Sequence, residues 1–119
     1  MMIKMSPHAS AERMERMMYI VTEIGIGEPA VSYVEADTHR KITLTDTGVV
    51  LVQDDYTELL ITAYVASMDR ATAMWMRVHG DNKRMPNYLY AKVLRNKKTH
   101  RVEVNEINKN YGYKYGKRG

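Results

Sequence analysis

The fold is decided by residues 41–66, which read KITLTDTGVVLVQDDYTELLITAYVA. Turn-forming residues divide this stretch at Asp46-Thr47-Gly48 and at Asp54-Asp55, and the runs between them are rich in β-branched and apolar residues. With one more run upstream, the four predicted strands cover residues 31–36, 41–45, 49–53 and 59–66. Because each connection is too short for a parallel crossover, the pattern predicts a four-stranded antiparallel meander.

A helix is predicted ahead of the strands. Ser6 suits the N-cap and Pro7 the first helical position, with Ser10 as a rival start, and Gly25 with Gly27 ends the helix. Apolar side chains at the spacing of one helix face predict its buried side, which consists of Met14, Met17, Met18 and Val21. We expect this face to pack on the sheet.

Two shorter helices are predicted after the strands. The first covers about residues 70–78, with Ser67 or Asp69 as its cap. Pro86 opens the second, which runs to Leu94. The predicted buried side chains of the second helix are Leu89, Val93 and Leu94.

The order of these elements predicts an α+β fold, in which an N-terminal helix packs on a four-stranded antiparallel sheet and two short helices and a basic tail follow. Residues 1–96 form the predicted single domain. Residues 97–119 form the tail, which is polar and rich in Tyr, Gly and Lys, and which we expect to be flexible.

Length and composition exclude several classes of protein. A chain of 119 residues and 13.8 kDa suits one domain, and the absence of cysteine excludes disulfides, thiolate metal sites and thiol catalysis. No run approaches the ~18 apolar residues of a membrane span, and the N-terminus lacks the apolar core of a secretory signal. We therefore expect a cytoplasmic protein without a membrane partner.

The charge is divided unevenly along the chain. Residues 1–82 carry 7 Lys+Arg against 12 Asp+Glu, whereas residues 83–119 carry 11 against 2. A basic segment of this kind attracts polyanions, and tyrosine rings between cations suit RNA or another single-stranded nucleic acid. A solvated, solubilising tail or a protein-docking segment is the alternative. The predicted nucleic-acid contacts are Arg13, Arg16, Arg40, Lys97, Lys98, Arg101, Tyr111, Tyr113, Lys114, Tyr115, Lys117 and Arg118.

The sequence predicts neither a cofactor nor a metal site. Residues 25–30, GIGEPA, match a dinucleotide-binding pattern on paper, but they follow a helix and open a strand, the reverse of what that site requires. The four histidines are far apart in the sequence, and none pairs with another at metal-ligand spacing.

One set of polar residues suits cleavage of a phosphodiester without a metal. That reaction needs a base, an acid and a cation over the phosphate. The predicted catalytic residues are His8, His39, Lys41, Thr62 and Tyr64. Thr62 and Tyr64 alternate on one strand, so they share a face of the sheet. The geometric requirement is that Lys41, Thr62, Tyr64 and one of the two histidines converge within ~8 Å. The alternative is that Thr and Tyr are simply common in strands.

Two stretches resemble a known family. Residues 6–16, SPHASAERMER, are similar to the opening helix of small RelE-like proteins, with the spacing shifted by one residue, and residues 45–52 and 60–64 resemble their hairpin. RelE-like proteins belong to the barnase–EndoU–colicin group of ribonucleases, which occur in phages, mobile elements and toxin–antitoxin pairs. The resemblance covers residues 6–66 and implies RNA cleavage on an open sheet face. By resemblance, His8 and Arg13 lie beside the sheet.

Two functions follow from these observations. The first is an RNA-binding protein with metal-independent endoribonuclease activity of RelE-like type. The alternative is a non-catalytic accessory protein from a phage or mobile element, which binds an antitoxin, a host protein or a nucleic-acid-handling complex. A third reading is self-association, in which the acidic body of one copy binds the basic tail of another.

Overall fold

The computed structural model describes residues 11–100. Helix α1 is continued by a single π-helical turn, and the sheet and two further helices follow. The bounds are α1 Ala11–Tyr19, the π-helical turn Ile20–Ile24, β1 Pro29–Glu35, β2 Arg40–Thr45, β3 Val49–Asp54, β4 Leu60–Val65, α2 Met68–His79 and α3 Asn87–Thr99. The predicted α+β class and the four strands are confirmed, with strand ends within two residues of the prediction.

The four strands form one antiparallel sheet in the order β1-β2-β3-β4. Each neighbouring pair is joined by a short turn, as the sequence predicts. An extra residue interrupts the register in two strands: Ala30 in β1, and Ile61 in β4, which lies opposite the step between Val52 and Gln53 of β3. The sheet therefore has two edge strands, β1 and β4, and two faces whose side chains alternate along each strand.

Helices α2 and α3 cover one face, which we call the α2–α3 face. The buried side chains between these helices and the sheet are Val31, Ile42, Leu44, Val50, Ala66, Ala71, Met74, Leu89 and Val93. Burial of this apolar surface is the main force that holds α2 and α3 against the sheet. The open sheet face that the resemblance implies is therefore covered on this side.

Helix α1 packs on the opposite face, which we call the α1 face. Met17 and Ile20 contact the buried side chains of β3 and β4, which are Val49, Leu51, Leu60 and Ala63. The predicted buried side of α1 is wrong for three of its four members, because Met14, Met18 and Val21 are exposed. The helix is rotated so that Met17 and Ile20 face the sheet.

The two C-terminal helices begin where the sequence predicts, but α3 ends later than predicted. Ser67 is the N-cap of α2, and its hydroxyl accepts a hydrogen bond from the Arg70 backbone N–H at 3.1 Å. Helix α3 continues to Thr99, five residues beyond the predicted end at Leu94, and its third buried side chain is Asn96. The predicted domain boundary at residue 96 thus falls inside a helix. Among residues 11–100, no helix is both long and apolar enough to cross a bilayer.

Candidate nucleic-acid interface

Lys41 lies at the hairpin end of the α1 face. Its neighbours in β2 point to the α2–α3 core, so alternation places Lys41 on the other side. Its Nζ is 4.0 Å from Oε1 of Glu58, and the Gln53 amide donates to the Glu58 carbonyl at 2.9 Å. Together with two residues from the adjoining turns, these side chains form what we call the hairpin-end cluster, namely His39, Lys41, Gln53, Tyr56 and Glu58.

His39 and Tyr56 form an exposed ring pair at the tip of this cluster. The ring centroids are 5.4 Å apart, and the Tyr56 hydroxyl is 3.3 Å from His39 Nδ1.

The two turns that carry this pair have a defined backbone conformation. His39 has a φ of 55° and Glu58 a φ of 61°, so both turns contain a left-handed residue that is not glycine. The Asp54 carboxylate accepts the backbone N–H groups of Thr57 and Tyr56, which lowers its pKa.

Tyr64 lies on the opposite face from Lys41. Its ring packs against the α2–α3 core, and its hydroxyl accepts a hydrogen bond from Arg70 Nε at 3.2 Å. Burial works to lower the pKa of Arg70, but the Tyr64 hydroxyl beside it raises that pKa above its usual value. The predicted convergence of Lys41 and Tyr64 in one site is therefore wrong, because strand alternation separates them across the sheet.

Thr62 belongs to a structural contact at the outer edge of β4. Arg16 reaches this edge from α1, and its guanidinium donates to the Thr62 hydroxyl at 2.8 Å and to the Ala63 carbonyl at 2.9 Å. Only 4% of Arg16 is exposed. The prediction that Arg16 contacts nucleic acid is contradicted, since its guanidinium is buried against the edge strand.

Among residues 11–100, exposed cations are concentrated on α3 and on the loop before it. Between residues 83 and 100 the chain carries six Lys or Arg residues and no Asp or Glu. All six side chains are exposed. We call this set the α3 basic surface, and its members are Lys83, Arg84, Lys92, Arg95, Lys97 and Lys98.

These six cations differ from the Lys and Arg residues that precede Gly80 in whether the charged group interacts with other groups of the protein. Five of the six earlier cations of the described chain have an interaction inside the protein, namely Arg13, Arg16, Lys41, Arg70 and Arg77. The sixth, Arg40, is half-buried and has a weak electrostatic effect on Asp54. For example, the Arg77 guanidinium lies 4.2 Å from the Tyr33 ring centroid. Within the described part of the chain, no member of the α3 basic surface forms an ion pair, a side-chain hydrogen bond or a ring contact.

The sequence predicted part of this surface and missed the rest. Lys97 and Lys98 were predicted contacts and lie exposed in the last turn of α3. Lys92 and Arg95 were not identified, although helical spacing and the lack of acidic residues after residue 82 are visible in the sequence. Eight further predicted site residues lie outside the described residues: His8, Arg101, Tyr111, Tyr113, Lys114, Tyr115, Lys117 and Arg118.

Among residues 11–100, no three His, Asp or Glu side chains gather as a group that could hold a metal ion. Comparison of the sequence with protein-family models, with curated proteins and with solved structures returns no match. The resemblance to RelE-like ribonucleases therefore stays a prediction that rests on the residues quoted for it.

Proposed function

We propose that this protein binds RNA through the α3 basic surface. The observation that carries the proposal is the contrast between two groups of cations in the described chain. Five of the six before Gly80 are engaged by groups of the protein itself, whereas the six that follow residue 82 are exposed and lack ion pairs. A surface of this kind leaves its positive charge available to an external polyanion.

The physical basis is the release of counterions from the RNA backbone. Each phosphate that a Lys or Arg neutralises releases a condensed cation, so the logarithm of the binding constant falls linearly with the logarithm of salt concentration. For a single strand the slope is about −0.7 per phosphate contact. Loss of two such contacts should therefore make the slope shallower by about 1.4.

The experiment is a salt series of fluorescence anisotropy titrations with a labelled single-stranded RNA. The test variant is Lys92→Gln/Arg95→Gln, which removes two exposed charges from α3. A matched control is Ala36→Glu/Thr38→Glu, which lowers the net charge by the same amount at two exposed positions in the β1–β2 turn. We expect weaker binding and a shallower slope for the α3 variant, and a slope close to that of the native protein for the control.

Two results would contradict the proposal. If the native protein fails to bind the RNA at about 50 mM salt, where phosphate contacts are strong, RNA binding is wrong. If both variants weaken binding equally, net charge alone accounts for the affinity and α3 has no particular role.

RNA cleavage without a metal stays a prediction from the resemblance, and the hairpin-end cluster is the observation that favours it. A cation, Lys41, lies beside the Glu58 carboxylate, and the His39 imidazole lies in the neighbouring turn. These groups have the types that acid–base cleavage requires. The test is incubation of RNA with the protein in EDTA. Cleavage should fall in Lys41→Ala and His39→Ala, and intact RNA with the native protein would contradict this role.

The non-catalytic alternative is favoured by a different surface. Met14, Met18 and Val21 are exposed at i, i+4 and i+7 and form an apolar stripe on α1. Such a stripe is suited to a protein partner. The alternative predicts that a partner purified with the native protein is lost from Met14→Glu/Met18→Glu and retained by Lys92→Gln/Arg95→Gln. Retention by both variants would contradict it.

A further inference from the structure

Of the six tyrosines in the described part of the chain, four contact another side chain and two, both on α3, do not. Tyr19, Tyr33, Tyr56 and Tyr64 each contact another side chain, namely His100, Arg77, His39 and Arg70 respectively. Tyr88 and Tyr90 on α3 are 55% and 50% exposed. Within the described residues, neither makes a side-chain hydrogen bond or a ring contact.

The two α3 tyrosines lie on opposite flanks of the helix, on either side of the buried Leu89. Tyr88 is followed at i+4 and i+7 by Lys92 and Arg95, so the ring and both cations share one stripe. At 1.5 Å per residue this stripe extends about 10 Å along the helix axis. Tyr90 is followed at i+4 by an apolar residue, Leu94, and at i+7 by one cation, Lys97, so its stripe carries one cation where that of Tyr88 carries two.

We propose that Tyr88 is a stacking platform for an unpaired base, while Lys92 and Arg95 hold the adjacent phosphates. This inference rests on the proposed RNA binding and names the class of RNA, which is single-stranded. A base can stack on a side chain only if its face is free, and the bases of a duplex have their faces covered by their neighbours. Exposed cations alone would bind duplex and single strand without this distinction.

The experiment compares two labelled RNA probes of equal length, an unstructured single strand and a perfect duplex, by anisotropy at fixed salt. The variants are Tyr88→Leu, which keeps apolar bulk and a good helix former but removes the ring, and Tyr88→Phe, which keeps the ring. Tyr90→Leu is the matched control on the opposite flank. Circular dichroism establishes that each variant is folded.

We expect Tyr88→Leu to weaken single-strand binding by roughly 5- to 150-fold, the range measured for loss of one stacked base. The salt slope should stay unchanged, because no phosphate contact is removed. Tyr88→Phe and Tyr90→Leu should bind as the native protein does, and duplex binding should be insensitive to all three.

The outcomes separate this inference from the proposed function. Absence of binding to both probes would overturn RNA binding itself. Single-strand binding that Tyr88→Leu leaves intact, or that Tyr90→Leu weakens equally, would overturn the stacking role of Tyr88 and leave the α3 basic surface in place. Equal loss of affinity for both probes in Tyr88→Leu would show a general disturbance of α3 and would also overturn it.

Discussion

A contact between Gly48 and Asn96 joins α3 to the β2–β3 turn, and it leads to a quantitative prediction. Gly48 has a φ of 82°, in the left-handed region that favours glycine. A Cβ at this position would lie 2.7 Å from the Asn96 Nδ2 atom. Asn96 is buried, and this same nitrogen donates to the Thr47 carbonyl at 2.7 Å. A methyl group at Gly48 must therefore displace a buried, hydrogen-bonded amide.

Two costs combine in Gly48→Ala. The left-handed backbone costs a non-glycine residue about 1–2 kcal/mol. Displacement of the Asn96 amide leaves buried polar groups without partners, which costs about 1–3 kcal/mol. We therefore expect a fall of about 2–5 kcal/mol in the free energy of unfolding. Alanine also restricts the unfolded chain, and this smaller, opposite effect is the same in any background.

A double-mutant cycle separates the two costs. In an Asn96→Ala background the clashing amide is absent, so Gly48→Ala should cost only the backbone strain. The coupling energy, measured by urea denaturation of the native protein, both single variants and the double variant, should be about 1–3 kcal/mol. A coupling energy within the ~0.5 kcal/mol expected of independent sites would show that a methyl group at Gly48 does not displace the Asn96 amide, and would refute this explanation.

Two further predictions concern packing and pH. Met17→Ala should lower the free energy of unfolding by about 2–5 kcal/mol because it empties a buried site, whereas Met18→Ala on the exposed side of α1 should stay within about 0.5 kcal/mol in the same denaturation assay. Similar losses for both would contradict the observed rotation of α1. The lowered pKa of Asp54 means that its carboxylate stabilises the fold above the unfolded pKa near 3.8, and that this contribution is lost as pH falls through the native pKa. Asp54→Asn should therefore be less stable than the native protein at pH 7, and the difference should shrink as the pH falls to about 2. A difference in stability that is as large at pH 2 as at pH 7 would contradict the lowered pKa.

The sheet could be predicted from the sequence because each strand and each turn is specified by a few neighbouring residues. Ile42 and Leu44 alternate with polar neighbours, and Gly48 ends the turn that joins β2 to β3, where its N–H donates to the Thr45 carbonyl. Each such signal spans only a few residues, and short turns permit only neighbouring antiparallel strands. For the same reason Ser67 was among the predicted caps of α2.

The rotation of α1 could not be predicted in this way. The helix has more apolar residues than one face can hold, so a face that begins at Met14 fits the helical spacing as well as one that includes Met17 and Ile20. Packing against the sheet decides which of these two faces is buried, and it buries the face with Met17 and Ile20. The π-helical turn after Tyr19 also shifts the phase of the residues that follow it. The buried Arg16 had no local signal, because its acceptors lie in β4, 46 and 47 residues away.

The candidate catalytic set failed for a similar reason. Lys41 and Tyr64 each had a predictable position on its own strand, but which face they share depends on the register of β2, β3 and β4 together. The observed register pairs Tyr64 with Val50 and Lys41 with Gln53, whose neighbours place them on opposite faces. In the structure, Lys41 lies beside Glu58 of the β3–β4 turn instead, and Glu58 was not among the predicted site residues.

The α3 basic surface cannot be explained by helix stability alone. Cations in the last turn of a helix interact favourably with its dipole by about 0.3–1 kcal/mol, which accounts for Lys97 and Lys98. Lys83 and Arg84 lie in the loop between α2 and α3, outside the terminal turns in which a helix dipole acts. Lys92 and Arg95 lie between the ends and have no acidic partner on the helix. Within residues 11–100, none of these four side chains forms an ion pair or a side-chain hydrogen bond, which supports the proposed binding of an external polyanion.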